Sequence, residues 1–295
     1  MPLRVAERAA AVAAVWVAAQ LARSVSGLPL KEHQAPQDKS DYSLFNPTPL
    51  TLMRELTTDR PDKTESPYTV DAGHYQIELD FLSYSHDRDH GQTVDTFAIA
   101  PTNFKVGLLN NVDLQVIAET YNIEPINDRA ARRSDTMSGY GDTLVRLKTN
   151  FWGNDGGDTA FGVIPFVKLP TNQHDLGNHA VEGGVIFPFA VKLPHEFDLG
   201  AETAVSFVQN ENSSDYHEEF VNSITVGHGI IGKLSGYAEF FSSLSTERDA
   251  EWIGTFDFGF TYALTPNVQL DAGMNVGLTR SADDLNPFVG FSIRY

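Results

Sequence analysis

Between residues 252 and 262 the chain reads WIGTFDFGFTY, and every second side chain is aromatic apart from one glycine: Trp252, Gly254, Phe256, Phe258, Phe260 and Tyr262. The positions between them, Thr255, Asp257, Gly259 and Thr261, are small or polar, with Ile253 the exception. A period of two is that of a β-strand with two unlike faces. Alternation alone fits a soluble sandwich as well as a membrane barrel. The ends narrow the choice. Trp252 and Tyr262 share a face and are separated by roughly 33 Å of strand, at about 3.3 Å per residue. Tilted by about 40°, such a strand rises roughly 25 Å, the height of the apolar band of an outer-membrane barrel with an aromatic at each rim.

The same signature runs from Gly73 to the C-terminus. Tyr75, Ile77, Leu79 and Phe81 oppose Gln76, Glu78 and Asp80; Val145, Leu147 and Phe151 oppose Arg146, Lys148 and Asn150. Val268, Leu270, Ala272, Met274 and Val276 oppose Gln269, Asp271 and Asn275. Pro101 shifts the phase of the stretch 93–108, as a bulge does. Counting such stretches predicts about twelve strands over residues 69–295, an up-and-down antiparallel transmembrane β-barrel. Connections alternate in length, which suits such a barrel better than a Greek-key sandwich. Tight ones fall at 110–111, 153–158, 194–196, 228–233 and 265–267; longer polar ones at 86–92, 122–138, 171–180, 209–216, 245–251 and 279–286. Val289, Phe291, Ile293 and Tyr295 then alternate up to a terminal aromatic, an ending that resembles the signal read by the outer-membrane assembly machinery.

The N-terminus reads as a secretion signal over residues 1–27. Arg4 and Arg8 precede an apolar run at 9–22 that, as a helix, spans about 21 Å, short of a bilayer core of roughly 30 Å. Beyond it no apolar run is long enough for a spanning helix, so a membrane reading requires a barrel. Residues 28–68 have no periodicity and carry prolines at 29, 36, 47, 49, 61 and 67, so an irregular segment is expected. The chain contains no cysteine, which removes disulfide, thiol and cysteine–zinc chemistry. A net charge of -18 excludes nucleic acid as a partner.

Several stretches resemble the family called putative MetA-pathway of phenol degradation: TTDRPDKTESPYTVDAGHYQIE (57–78), GYGDTLVRLKTNFWGND (139–155), FVKLPT (166–171), KLSGYAEF (233–240) and LTPNVQLDAGMNVGLTRSADDLNPFVGFSIRY (264–295). Residues 1–56 take no part. The resemblance implies an outer-membrane, transporter-like barrel that handles small, often aromatic compounds. It brings no catalytic residues with it.

Catalytic and metal chemistry find no motif. The histidine- and aspartate-bearing stretches 86–90 and 174–179 read as solvated loops, and Asn154–Asp158 as a turn lacking the further ligands of a calcium loop. No nucleophile-elbow, zincin or phosphate-loop pattern occurs, so neither an enzyme nor a cofactor is expected. The inward positions are more informative. Arg146, Lys148, Lys168 and Lys192 form a basic strip, and Glu78, Asp80, Asp113, Glu119, Asp198, Glu202, Glu239, Asp257 and Asp271 form acidic ones. Wrapped around a lumen, they either pair and close it or flank a hydrated constriction. The mixed-sign run of Asp59, Arg60, Asp62, Lys63 and Glu65 reads as a plug folded back into that lumen, or else as a solvated tether. Arg60 and Lys63 are expected to meet acids such as Glu78, Asp113 or Glu202, and Asp59, Asp62 and Glu65 the basic strip. The expected function is passive passage of small solutes, with a closed structural barrel as the alternative and an outer-membrane enzyme a distant third. Deleting Tyr295 should sharply reduce outer-membrane insertion. Normal membrane levels with heat-modifiable mobility, measured by fractionation, would count decisively against it.

Overall fold

The computed structural model describes residues 38–89, 92–128, 132–174, 176–210 and 213–295. The expected signal at 1–27 and residues 28–37 lie outside the described residues, as do His90 and Asp175. The alternating stretches form one antiparallel sheet. Its first half comprises β1 (Tyr75–Asp89), β2 (Gln92–Ile99), β3 (Thr102–Leu109), β4 (Val112–Ala118), β5 (Tyr121–Asp128), β6 (Arg133–Gly139) and β7 (Thr143–Trp152). The second comprises β8 (Thr159–Leu169), β9 (Glu182–Leu193), β10 (Phe197–Gln209), β11 (Tyr216–Ile231), β12 (Leu234–Ser245), β13 (Ile253–Thr265), β14 (Val268–Gly277) and β15 (Leu285–Arg294). β15 pairs back onto β1, with Gln76 opposite Arg294 and Leu79 opposite Phe291, so the sheet closes.

Three staves of the barrel are broken midway. β2 and β3 are separated by Ala100 at φ 53° and Pro101, and both pair with β1, one above the other. β4 continues as β5 across Glu119 and Thr120, and β6 as β7 across 140–142. Fifteen segments with three such joins make twelve staves. The phase shift expected at Pro101 is therefore a full interruption. Two expected loops become strand: 86–92 is the β1–β2 hairpin, and 122–138 is largely β5 and β6. Their sequences lack apolar alternation because a ladder that projects past the bilayer has water outside as well as inside. Ser134, Thr136 and Ser138 of β6 lie on the same side of the wall as the outward Ile123, to which Ser138 is paired.

The faces are inverted relative to a soluble protein. On β13, Phe256, Phe258, Phe260 and Tyr262 point outward and are exposed, Phe258 by 39%, whereas Asp257 is 0% exposed. Leu270, Val289, Phe240, Ile224 and Phe104 repeat this around the wall. Only a hydrocarbon surrounding removes such a band from water. Val289 lies in it, Phe291 stacks on Phe81 at 5.4 Å, and Tyr295 closes the seam by donating its N–H to Tyr75 O at 2.8 Å. Ile293 faces Ile77 across the same seam. Phe258→Arg, near the middle of the band, should cost roughly 2–4 kcal/mol of stability in lipid, and Leu264→Arg at its edge about 0–1 kcal/mol. Urea titration of the refolded variants in vesicles checks this; equal costs would refute the membrane placement.

Candidate functional site: the charged lumen

The chain before β1 travels through the barrel interior. It enters at the tight-turn end, where Arg54 Nη1 donates to Asn110 O at 3.1 Å and to Asp155 at 3.2 Å. Thr57 O accepts from Gln76 on β1 at 2.8 Å. The chain then crosses to Glu239 on β12 and Glu202 on β10, and returns past Asn150 on β7 and Asp113 on β4. Residues 57–70 form no strand, so their backbone N–H groups need acceptors from the wall. Carboxylates supply them. Glu78 accepts from Asp59 N at 3.1 Å, and Glu239 accepts from Lys63 N and Thr64 N at 2.8 Å each. Glu202 accepts from Glu65 N at 2.6 Å, and Asp113 from Val70 N at 2.9 Å.

Side-chain ion pairs complete the fit. Asp59 lies between Lys105 of β3 and Lys148 of β7, and Lys105 also meets Glu78; all four are buried. Arg60 reaches Asp80 of β1 at 2.5 Å and Asp271 of β14 at 2.6 Å, with Phe288 of β15 beneath its guanidinium. It thereby spans the closing seam, and a Cβ on Gly290 of β15 would collide with it. Lys63 sits over Phe241 at 4.5 Å, donates to Thr255 at 3.0 Å and lies 3.4 Å from Asp257. Glu65 accepts from Arg146.

The pairings differ from expectation at several points. Glu78, Asp113 and Glu202 serve backbone amides of the segment, and Arg60 and Lys63 take Asp80, Asp271 and Asp257 instead. Asp62 lies near Glu239 and Thr225, away from the basic strip. Lys168 is drawn to Asp142 and Glu182 at 3.4 Å each, so it organises the wall and the connection 170–181, where Asn172 and Asn178 also bind Asp142. Glu119 sits in the stave break beside Asn122. Lys192 and Asp198 face each other across β9 and β10 but are exposed at the barrel mouth.

Two groups of residues were missed from sequence. Lys105 lies in the stretch whose phase Pro101 breaks, although Asn103, Lys105 and Gly107 do alternate. A second ionic cluster at the tight-turn end joins Lys39 and Arg54 to Asp71 and Asp155, with Arg294 of β15 at 3.5 Å from Asp71. Burial would raise the Asp155 carboxyl, but hydrogen bonds from Lys39 and Asn110 and the Arg54 charge hold it below the ordinary carboxylate range. A depressed folded-state pKa means that this anchor is at full strength at neutral pH and is lost only as pH falls through that lowered value.

Removing one partner of a buried ion pair strands the other, at roughly 3–5 kcal/mol. Asp59→Ala strands Lys148 and leaves Lys105 with Glu78 alone, so the segment should leave the lumen and become cleavable by trypsin at Lys63 in the folded barrel. Adding Lys148→Met should restore much of the protection. Protection that persists in the single variant would show that the ion pairs do not hold the segment.

The folded chain is similar to the COG4313 outer membrane channel from Pseudomonas putida F1, at 12% identity and a TM-score of 0.58, covering 81% of this chain and 100% of that one. Similarity extends to the NanC porin, at 9% identity and a TM-score of 0.46 over 73% of this chain and 98% of that one. It extends also to a TodX deltaS2S3 mutant monoaromatic hydrocarbon channel, at 8% identity and 0.41 over 75% and 89%. No curated protein matches the sequence. At these identities the first of the three shows a shared barrel fold. The family model described as putative MetA-pathway of phenol degradation matches residues 58–295, which include the lumen segment from Thr58 onward and every stave, and the chain belongs to that family.

Proposed function

We propose that the protein is an outer-membrane channel for small apolar or aromatic solutes, with residues 57–67 as its plug. The observation that carries this reading is a change of chemistry along the lumen. One inward position farther from the tight turns than the charged tier, five staves carry an apolar side chain, with Asn103, Lys168, Ser243 and Thr255 opposite four of them. Ile117 follows Gln115, Leu144 precedes Arg146, Val221 precedes Ser223, Phe241 follows Glu239 and Phe288 precedes Gly290. Phe166 of β8 is inward too, opposite Arg146 within the charged tier, and packs on the buried cluster of Ile164, Ile186 and Ala204. The tight-turn end is periplasmic in barrels of this kind, so the apolar collar faces the outside of the cell. An apolar solute entering there exchanges water for Ile117, Phe241 and Phe288 as it reaches the plug. The family description and the channel similar in fold support the same reading.

The density of buried ion pairs also favours a second reading, a barrel held closed for structural reasons. Passage by the intact chain separates the two. In vesicles, the full protein should admit a monoaromatic solute faster than a sugar of similar size, and deletion of residues 28–66 should raise single-channel conductance without abolishing the heat-modifiable barrel. If the intact chain passes neither solute, the closed barrel is the better account; if deletion leaves conductance unchanged, the segment is no plug.

A further inference from the structure

Residues 38–53 lead into the lumen segment and lie wholly before the family match at residue 58. They are pinned to the tight-turn ends of β1 and β3. Leu44 N donates to Leu108 O at 2.8 Å, Thr48 N donates to Ala72 O at 2.9 Å, and His74 Nε2 lies 2.7 Å from Thr48 O. Pro47 packs on Gly73 so closely that a Cβ there would stand 2.7 Å from it. Ser43 and Asn46 exchange both backbone hydrogen bonds, at 2.9 and 3.0 Å, which leaves Leu44 and Phe45 as the tip of a two-residue turn.

The composition of that tip is unusual. Tight turns favour Gly, Asn, Asp, Pro and Ser, each for a backbone reason that Leu and Phe do not share. Phe45 is 94% exposed, and Leu50, in the short 3-10 turn Leu50–Leu52, is 77% exposed. These are the two most exposed large apolar side chains among the described residues. A single exposed apolar residue needs no explanation; two at these levels on one short, immobilised stretch do. Residues 42–53 contain no charge at all, in a chain of which 20% is charged.

We propose that the Leu44–Phe45 tip and Leu50 dock into the phospholipid surface of the inner leaflet of the outer membrane. The stretch continues the lipid-facing band of the barrel. Ser43 bridges to Leu109, itself exposed, and Tyr75 and Phe104 stack outward a short way up the same two strands, their rings 6.0 Å apart. The exposed neighbours Asn46, Pro47, Pro49 and Thr51 are polar or apolar but uncharged, which suits an interfacial layer better than a charged protein partner. Because the backbone is already fixed, insertion orders little further chain. The docked turn holds the entry of the lumen segment at the rim, so that the segment is tethered to lipid on one side and to the lumen charges on the other.

The inference rests on the membrane location proposed above, so its test carries a separate control for that location. The chain has no cysteine, so single-cysteine variants can carry a nitroxide label in the full protein. Phe45→Cys, Leu50→Cys, Asp41→Cys and Phe258→Cys are refolded into vesicles of phosphatidylethanolamine with a minority of phosphatidylglycerol. Collision rates with oxygen and with a water-soluble nickel chelate are read by electron paramagnetic resonance. Labels at 45 and 50 should show an oxygen-to-nickel ratio several-fold above that at 41 and approaching that at 258. If 45 and 50 both read like 41 while 258 reads as lipid, the docking proposal is overturned and the patch is left to a periplasmic protein. A water-like reading at 258 would instead overturn the membrane location. Should one of the two apolar variants misfold, the other is read alone by the same criterion, so the test stays intact.

Discussion

A stretch of chain with no strand partner, placed inside a barrel, has backbone N–H groups that cannot be left bare. That constraint accounts for most of the lumen. Residues 59–70 cross the interior, and along the way wall carboxylates accept their amides: Glu78, then Glu239, Glu202 and Asp113. The lumen therefore holds more acids than bases without being a bare anionic channel. The cations that remain are used where geometry is strictest. Lys105 and Lys148 hold Asp59 from two staves, and Arg60 joins β1 to β14 across the seam where first and last strands meet.

In the channel proposed above, the same interactions link folding to permeation. The groups of the lumen segment also tie opposite walls of the barrel together, so its release as a body would leave Lys148, Glu239 and Asp271 without their partners and Lys105 with Glu78 alone. Burying such charges alone is costly, and water has to replace the segment as it leaves. Opening by partial rearrangement is accordingly cheaper than expulsion. Lys63 is the natural first point of movement: it is the most exposed of the three lumen-segment groups Asp59, Arg60 and Lys63, and its closest carboxylate is at 3.4 Å.

At both ends of the barrel, water rules take over from lipid rules. Above the bilayer, β5 and β6 keep their ladder while their faces lose the apolar alternation. Below it, residues 38–56 and the turns 110–111 and 153–158 are joined by Lys39, Arg54, Asp71, Asp155 and Arg294 into a cluster with one foot in the last strand. Stave breaks at 100–101, 119–120 and 140–142 lie between the two regimes, on neighbouring staves, which lets the outer tier follow a different course from the inner one.

How much of this was legible follows from which forces are local. Alternation at 252–262 and 264–295 is a local consequence of lipid on one side and charge on the other, so strand identity, facing and the closed antiparallel barrel could be read from the residues themselves. The mixed-sign run at 59–65 was likewise visible as a candidate for the lumen. Its partners were not, because charge sign says which groups attract but not which staves the chain passes; only the closed sheet sets Asp271 within reach of Arg60 and leaves Lys168 with Asp142. Strands β5 and β6 were hidden for the opposite reason: with water on both faces, backbone pairing alone holds them, and backbone pairing leaves no mark in side-chain pattern.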